Sequence, residues 1–356
     1  MSFEYGSKVK VAIFGQSHSP AIGVVIDGIP AGEAVDMRTI QAFMQRRAPG
    51  QSAYSTKRSE ADEATILSGI VGGVTCGAPI AAVIQNTDAR PGDYAGFMNT
   101  PRPSHADYPA LAKHGAAHDI RGGGYFSGRM TAPLCFAGAL AEQILNRKGI
   151  FVGAHIASIG LVQDEGFDPV HVSKEELLST KNKTFPVRID AQGEKMKLEI
   201  AAAAAEGDSI GGTVECCVVG LAAGMGEPIF DGLENKLAQA VFAIPAVKGI
   251  EFGSGFAGCA LRGSQNNDAY HILDGAVRTQ TNNSGGILGG LSTGMPVLFR
   301  AAFKPTPSIA RKQRTIDLAT GQDTVISIKG RHDPCIVPRA VPCVEAAALL
   351  AILDLL

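Results

Sequence analysis

The chain has 356 residues, 45% hydrophobic and 19% charged, with a net charge of −2. That is a globular composition long enough to bury a large core. A near-neutral balance gives no electrostatic footprint for nucleic acid or an anionic membrane surface, and no apolar run approaches the roughly 20 residues of a membrane span. The N-terminus lacks the apolar stretch of a signal peptide. Seven cysteines, without any CxxC, read as reduced thiols of a cytoplasmic protein, acting as small buried hydrophobes. No His/Cys pairing has the spacing of a metal site.

Residues 9–14 and 23–27 read as short strands around the polar turn GQSHSP, 15–20. Residues 36–47 read as an amphipathic helix, with Asp36 as N-cap and Met37, Ile40, Phe43 and Met44 on one face. It stops at Arg46 and Arg47, where a plain role is to complement the helix dipole. Two strand-like runs occupy 65–85.

The stretch 102–132, RPSHADYPALAKHGAAHDIRGGGYFSGRMTA, concentrates polar chemistry. It holds Arg102, His105, Asp107, Lys113, His114, His118, Asp119 and Arg121 before three glycines and Ser127. Glycines at a helix start permit close approach of a ligand, and the unpaired N–H groups there favour an anion. Residues 127–147 then read as a buried helix with a late start or kink at Pro133, followed by a strand at 149–160.

In the second half, 197–206 and 233–244 read as helices. Residues 211–221, 247–252, 296–303 and 324–329 read as strands. NNSGGILGG (282–290) is a second Gly-rich loop, and 344–356 closes the chain as a helix. Short turns between neighbouring strands, without a regular βαβ spacing, point to an α+β fold of largely antiparallel sheets with long internal helices packed on them. No linker divides the chain, so 1–356 reads as one unit. A GxGxxG opening a helix after a strand does not occur, which excludes a Rossmann reading.

The polar residues collect at element tips: Ser17 and His18; Arg46 and Arg47; Arg102 and His105; Ser127 and Arg129; Lys304, Thr306 and Ser308; Arg331, His332 and Asp333; Arg339. Many cations in loops of a near-neutral protein suit a polyanionic small molecule. Two histidines in separate loops can serve as acids near neutral pH, and Asp333 is a candidate base. These residues alone lead to an enzyme acting on a phosphorylated or carboxylated metabolite.

GQSHSPAIGVVIDGIPAG, RRAPG, RPSHADY, RGGG, GEP, VKGIEFG, LRGSQNND, SGGILGG, KPTPS and GRHDPCIVPRAVP occur in an order that resembles the chorismate synthase family over nearly the whole chain. The resemblance implies a β-α-β sandwich around a helical core and a cytoplasmic homotetramer. The implied reaction removes phosphate and a carbon-6 hydrogen from 5-enolpyruvylshikimate 3-phosphate to give chorismate, with reduced FMN and no net redox change. By the same resemblance His18 protonates the departing phosphate, His105 sits near the flavin, and Asp333 assists proton removal at the flavin's N5 edge. Ser17, Arg46, Arg47, Arg102, Arg129 and Arg339 fall to the substrate. Ser127, Ala246, Gly289, Lys304, Pro305, Thr306, Pro307, Ser308 and Arg331 fall to FMN. His114, His118, His155, His171 and His271 carry no match and are left to surface or packing roles.

The chain departs from the family pattern. GESHG is here GQSHS, with Gln16 and Ser19; RGGGRSSARE has Tyr125, Phe126 and Met130 at three positions; an arginine expected after RRxPG is Ala53. Tyr125 and Phe126 are expected to offer stacking surface beside the flavin in place of a charged contact. Two other readings stay open: a non-catalytic FMN-binding relative, and a flavin reductase fed by NADPH in place of an external reductase.

Overall fold

The computed structural model describes residues 3–50, 60–87, 97–328 and 333–356. Two five-stranded antiparallel sheets enclose a layer of helices. The first sheet contains β1 (Glu4–Tyr5), β2 (Lys10–Gly15), β3 (Ala21–Asp27), β4 (Ala64–Ser68) and β5 (Ile80–Gln85), in the order β1-β2-β3-β5-β4. Alternation sets its register: Val11, Ile22, Val24, Ile26, Ile80, Ala82 and Ile84 all point inward. The second sheet contains β6 (Phe151–Ile159), β7 (Val162–Gln163), β8 (Gly212–Val219), β9 (Val247–Phe252) and β10 (Val297–Phe303), in the order β9-β10-β8-β6-β7.

Between the sheets lie α1 (Met37–Arg47), α3 (Thr131–Arg147), α5 (Leu233–Phe242) and α6 (Val337–Leu353); α2 (Asp107–His114) and α4 (Asp190–Ala205) lie outside this layer. α3 and α6 are buried along almost their whole length. They pack backbone to backbone at Gly138, where an added Cβ would fall 2.4 Å from Ala346 Cβ. One continuous apolar core joins both sheets to these helices. No helix among the described residues is long and apolar enough to cross a membrane.

The α+β architecture expected from the sequence is observed, and several boundaries move. Asp36 caps α1 as expected, accepting from Arg38 N at 2.9 Å. α3 starts late, at Thr131 after a 3-10 turn, and Pro133 lies in its first turn, where no N–H is required. α4 begins at Asp190, seven residues before the expected 197. The final helix starts at Val337 rather than 344: Pro338 is accommodated in the first turn and Pro342 lies inside the helix. The loop 282–290 contains the small hairpin Ile287–Leu288/Leu291–Ser292, and 324–329 is replaced by the strand Gln322–Ile326.

Candidate active site

One cavity of about 710 Å³ opens at the ends of several elements. Its wall takes Ser17 from the β2–β3 loop, Arg47 from the end of α1, and residues of the 102–131 segment. The stretch from Phe242 to Lys248, the exit of β10 from Phe303 to Ser308, and the start of α6 from Asp333 to Cys343 complete it.

The Gly triplet brings the loops together. Gly122, Gly123 and Gly124 all have positive φ, and a Cβ on Gly122 would lie 2.4 Å from both His18 Cε1 and Ser17 Oγ. Ser17 N donates to Gly124 O at 3.0 Å. The close approach anticipated for a ligand is therefore used by the protein's own loop 15–20. The start of the helical run is likewise occupied, with Ser127 Oγ accepting from Arg129 N at 3.2 Å. Gly123 faces His105, whose Cε1 and Nε2 would be 3.3 Å from an added Cβ.

Each arginine on the wall is held by an acid. Asp62 bridges two of them: Oδ2 accepts from Arg47 Nη1 at 2.5 Å, and Oδ1 accepts from Arg129 Nη1. Burial would raise the Asp62 carboxyl, yet the two guanidiniums hold it below its ordinary value. Glu60 lies 3.1 Å from Arg129 Nη1. Arg129 Nε also donates to Asn86 Oδ1 at 2.9 Å, and Asn86 Nδ2 donates to the carbonyls of Gln16 and Ser19. Arg129 is thus tied to the loop that carries His18. Arg339 donates to Asp333 Oδ2 at 2.5 Å and to the Arg47 carbonyl at 3.0 Å.

Arg102 is clasped by Asp107, which also lies 2.6 Å from His105 Nδ1. Burial opposes ionisation of Asp107, but the hydrogen bonds from Arg102 and His105 hold its carboxyl far below the ordinary range. Asp107 Oδ1 at 2.6 Å and Arg102 Nη2 at 3.2 Å both face His105 Nδ1, and Nε2 is the ring nitrogen on the Gly123 side. Lys304 donates to Ser104 O at 2.8 Å; burial, then the charge of Lys248, lowers its pKa. Neither lysine forms an ion pair among the described residues.

Of the residues expected from the sequence, Ser17, Arg47, Arg102, His105, Tyr125, Phe126, Ser127, Arg129, Ala246, Lys304, Thr306, Pro307, Ser308, Asp333 and Arg339 line the cavity. His18 is packed behind Gly122 beside Ser17. Tyr125 and Phe126 lie together, ring centroids 4.5 Å apart, with His118 edge-on to both.

Besides His18, which packs behind Gly122 off the cavity lining, three expectations do not meet the wall. Arg46 turns into the helix layer and makes a two-pronged pair with Glu345, at 2.5 and 2.9 Å, because a buried carboxylate there requires a cation. Gly289 forms the tip of the 287–292 hairpin, and Pro305 packs toward Gly211. Arg331 and Ala53 lie outside the described residues. Sequence reasoning passed over Glu60, Asp62 and Asn86, which carry no motif, gave no role to Lys248 inside VKGIEFG, and set Cys343 aside as core although it lies on the wall.

A profile of the chorismate synthase family, described as "Chorismate synthase", matches residues 9–356. The chain belongs to the chorismate synthase family. It is 44% identical over 354 residues to the chorismate synthase of Korarchaeum cryptofilum, covering 98% of this chain and 96% of that one. It is 47% identical to that of Methanosarcina barkeri over 352 residues (98% and 94%) and 45% to that of Thermococcus kodakarensis over 349 residues (98% and 96%). A crystal structure of chorismate synthase superposes with a TM-score of 0.75 at 25% identity, covering 98% of this chain and 92% of that one. The β-α-β sandwich is the architecture of that structure, and the chain is an enzyme of this type, a lyase.

Proposed function

We propose that this chain eliminates phosphate and a carbon-6 hydrogen from 5-enolpyruvylshikimate 3-phosphate to give chorismate, with reduced FMN held in the same cavity. The observation that carries this reading is the set of cations on one wall, Arg47, Arg102, Arg129, Arg339, Lys248 and Lys304, beside an apolar face that includes Phe126, Ile244 and Phe303. A phosphate and two carboxylates need the first, and a flavin ring needs the second.

The donor set fits such ligands. Ser17 Oγ and Thr306 Oγ1 are buried and make no hydrogen bond among the described residues. A buried hydroxyl left unpaired costs about 1–3 kcal/mol, so two on one wall favour a polar ligand. Ser127, Ala246, Lys304 and Thr306–Ser308 would hold FMN, and the arginines the substrate. The chemistry a bound reduced flavin supplies is electron density toward the breaking C–O bond.

The chain's own residues do the rest. His18 gives a proton to the departing phosphate oxygen. His105, with Nδ1 fixed on Asp107, presents Nε2 to the flavin. Asp333, positioned by Arg339, would assist removal of the carbon-6 proton at the flavin's N5 edge. The arginines arrive preset by Asp62, Asp107 and Asp333, so little side-chain order remains to be imposed when substrate binds.

We extend the family's cytoplasmic homotetramer to this chain. Exposed Ile229, Phe230 and Phe256 support burial against other copies, which sedimentation would test. Anaerobic mixing with dithionite-reduced FMN and substrate tests the activity. Repeating it with NADPH alone, then with an added flavin reductase, identifies the reductant.

A further inference from the structure

Cys135 on α3 and Cys343 on α6 meet at the floor of the cavity, with Sγ of Cys135 donating to Sγ of Cys343 at 3.9 Å. Both are buried, and Cys343 lies on the cavity wall. The helix crossing explains the encounter. Gly138 lies three residues after Cys135 and Ala346 three after Cys343, so the contact that brings these backbones together also brings the thiols together one turn earlier. A disulfide needs Cβ atoms about 3.8 Å apart, which such closely packed helices allow.

The two thiols have unlike surroundings. Cys343 donates to Arg339 O at 3.4 Å and shares its corner with the guanidiniums of Arg47 and Arg339. The hydrogen bond from Cys135, then Arg47, Thr131 and Arg339, lowers its pKa against the opposing effect of burial. Burial pushes Cys135 well up. Cys216, Cys217 and Cys335 are raised likewise and lie off the cavity, which leaves Cys343 as the buried thiol with both neighbouring guanidiniums and a route to small solutes.

We propose that Cys343 and Cys135 form a redox-sensitive dithiol in the cavity wall, Cys343 attacking a small hydroperoxide and Cys135 resolving the product. The Cys343 thiolate attacks hydrogen peroxide: an S–O bond forms, the O–O bond breaks, and the released hydroxide takes a proton to become water. Cys343 is thereby oxidised to a sulfenic acid. Cys135 then attacks that sulfur: an S–S bond forms, the S–O bond breaks, and the hydroxide leaves with the Cys135 proton as a second water. Two thiols and one peroxide give one disulfide and two waters. The product staples α3 to α6 beneath Arg47 and Arg339.

The test is peptide mapping of the intact protein after hydrogen peroxide at pH 7 and alkylation with iodoacetamide, so it does not depend on turnover. The expected product is a linked Cys135–Cys343 peptide that dithiothreitol reverses, with Cys216 and Cys217 recovered as free thiols. Iodoacetamide labelling of Cys343 in unoxidised protein should set in at lower pH than that of Cys135. In Cys135→Ser the sulfenic acid persists and is captured by dimedone at Cys343. Recovery of Cys135 and Cys343 as free thiols while exposed Cys76 and Cys259 are oxidised would overturn the proposal, and the wild-type map decides it even where Cys135→Ser does not fold.

Discussion

Arg102 and Asp107 clasp each other through two parallel hydrogen bonds, Nε to Oδ2 at 2.7 Å and Nη2 to Oδ1 at 2.8 Å, and both are buried. The same carboxylate lies 2.6 Å from His105 Nδ1. Arg102 is therefore a cation already engaged, and Asp107 positions two cavity residues at once. Asp107→Asn keeps the shape but cannot hold the His105 proton on Nδ1 in the same way. It should lower kcat by roughly 10-fold or more, the scale seen when a partner orienting a histidine is lost, with little change in KM. A changed KM at constant kcat would make Asp107 a binding residue instead.

Arg46 separates packing from binding. Its partner Glu345 is fully buried, also accepts from Ala154 N at 3.0 Å, and has Lys181 Nζ at 3.9 Å. Arg46→Ala leaves a buried carboxylate with a distant cation, at a cost of about 3 kcal/mol in unfolding free energy. Urea unfolding should show that loss while substrate KM stays near the parent value. Unchanged stability with a raised KM would return Arg46 to the substrate.

Phe126 lines the cavity and remains 39% exposed while its ring leans on Tyr125. That free face is where a flavin ring would stack. Phe126→Ala should weaken reduced-FMN binding by about 5-fold, corresponding to roughly 1 kcal/mol for an aromatic contact. Anaerobic fluorescence titration checks it, and an unchanged affinity removes Phe126 from the flavin site.

His155, left by sequence to packing, sits fully buried between two acids: Nδ1 is 3.0 Å from Asp164 Oδ2 and Nε2 3.1 Å from Glu215 Oε2. Burial opposes the charged ring, but the carboxylates outweigh it and raise its pKa, while both acids are lowered. The His155 contribution is complete below its unfolded value near 6.5 and fades as pH rises through the higher folded value. The contribution of the acids is present above about pH 4 and fades as pH falls through their lowered values. Urea midpoints measured from pH 6 to 9 should fall more steeply in the parent than in His155→Gln. Parallel curves would show the ring to be neutral in the fold.

Much of the frame was legible because it rests on periodicity. Short β-branched runs bounded by Gly or Pro marked β2 and β3, and the 3.6-residue pattern with Asp36 marked α1. The final helix begins at Val337, before the expected 344, and Pro338 fits there because a proline in the first turn gives up no hydrogen bond. The motif residues brought to the cavity were legible as clusters. Their acid partners were not: nothing in the spacing tells Arg129 that it will meet Asp62, 67 residues earlier, once β4 is laid beside β5. Nor does it tell Arg46 and Arg47, adjacent in sequence, that one faces Glu345 and the other the cavity.

The elimination is proposed to take place in one cavity at the ends of these elements, with His18 as acid. It is tested most directly by anaerobic turnover of 5-enolpyruvylshikimate 3-phosphate with dithionite-reduced FMN, following chorismate absorbance and phosphate release together in the parent and in His18→Ala. Equal amounts of both products are expected from the parent, and a rate roughly 10²–10⁴-fold lower in His18→Ala. Tight binding of reduced FMN with neither product formed by the parent, or full activity in His18→Ala, would contradict it.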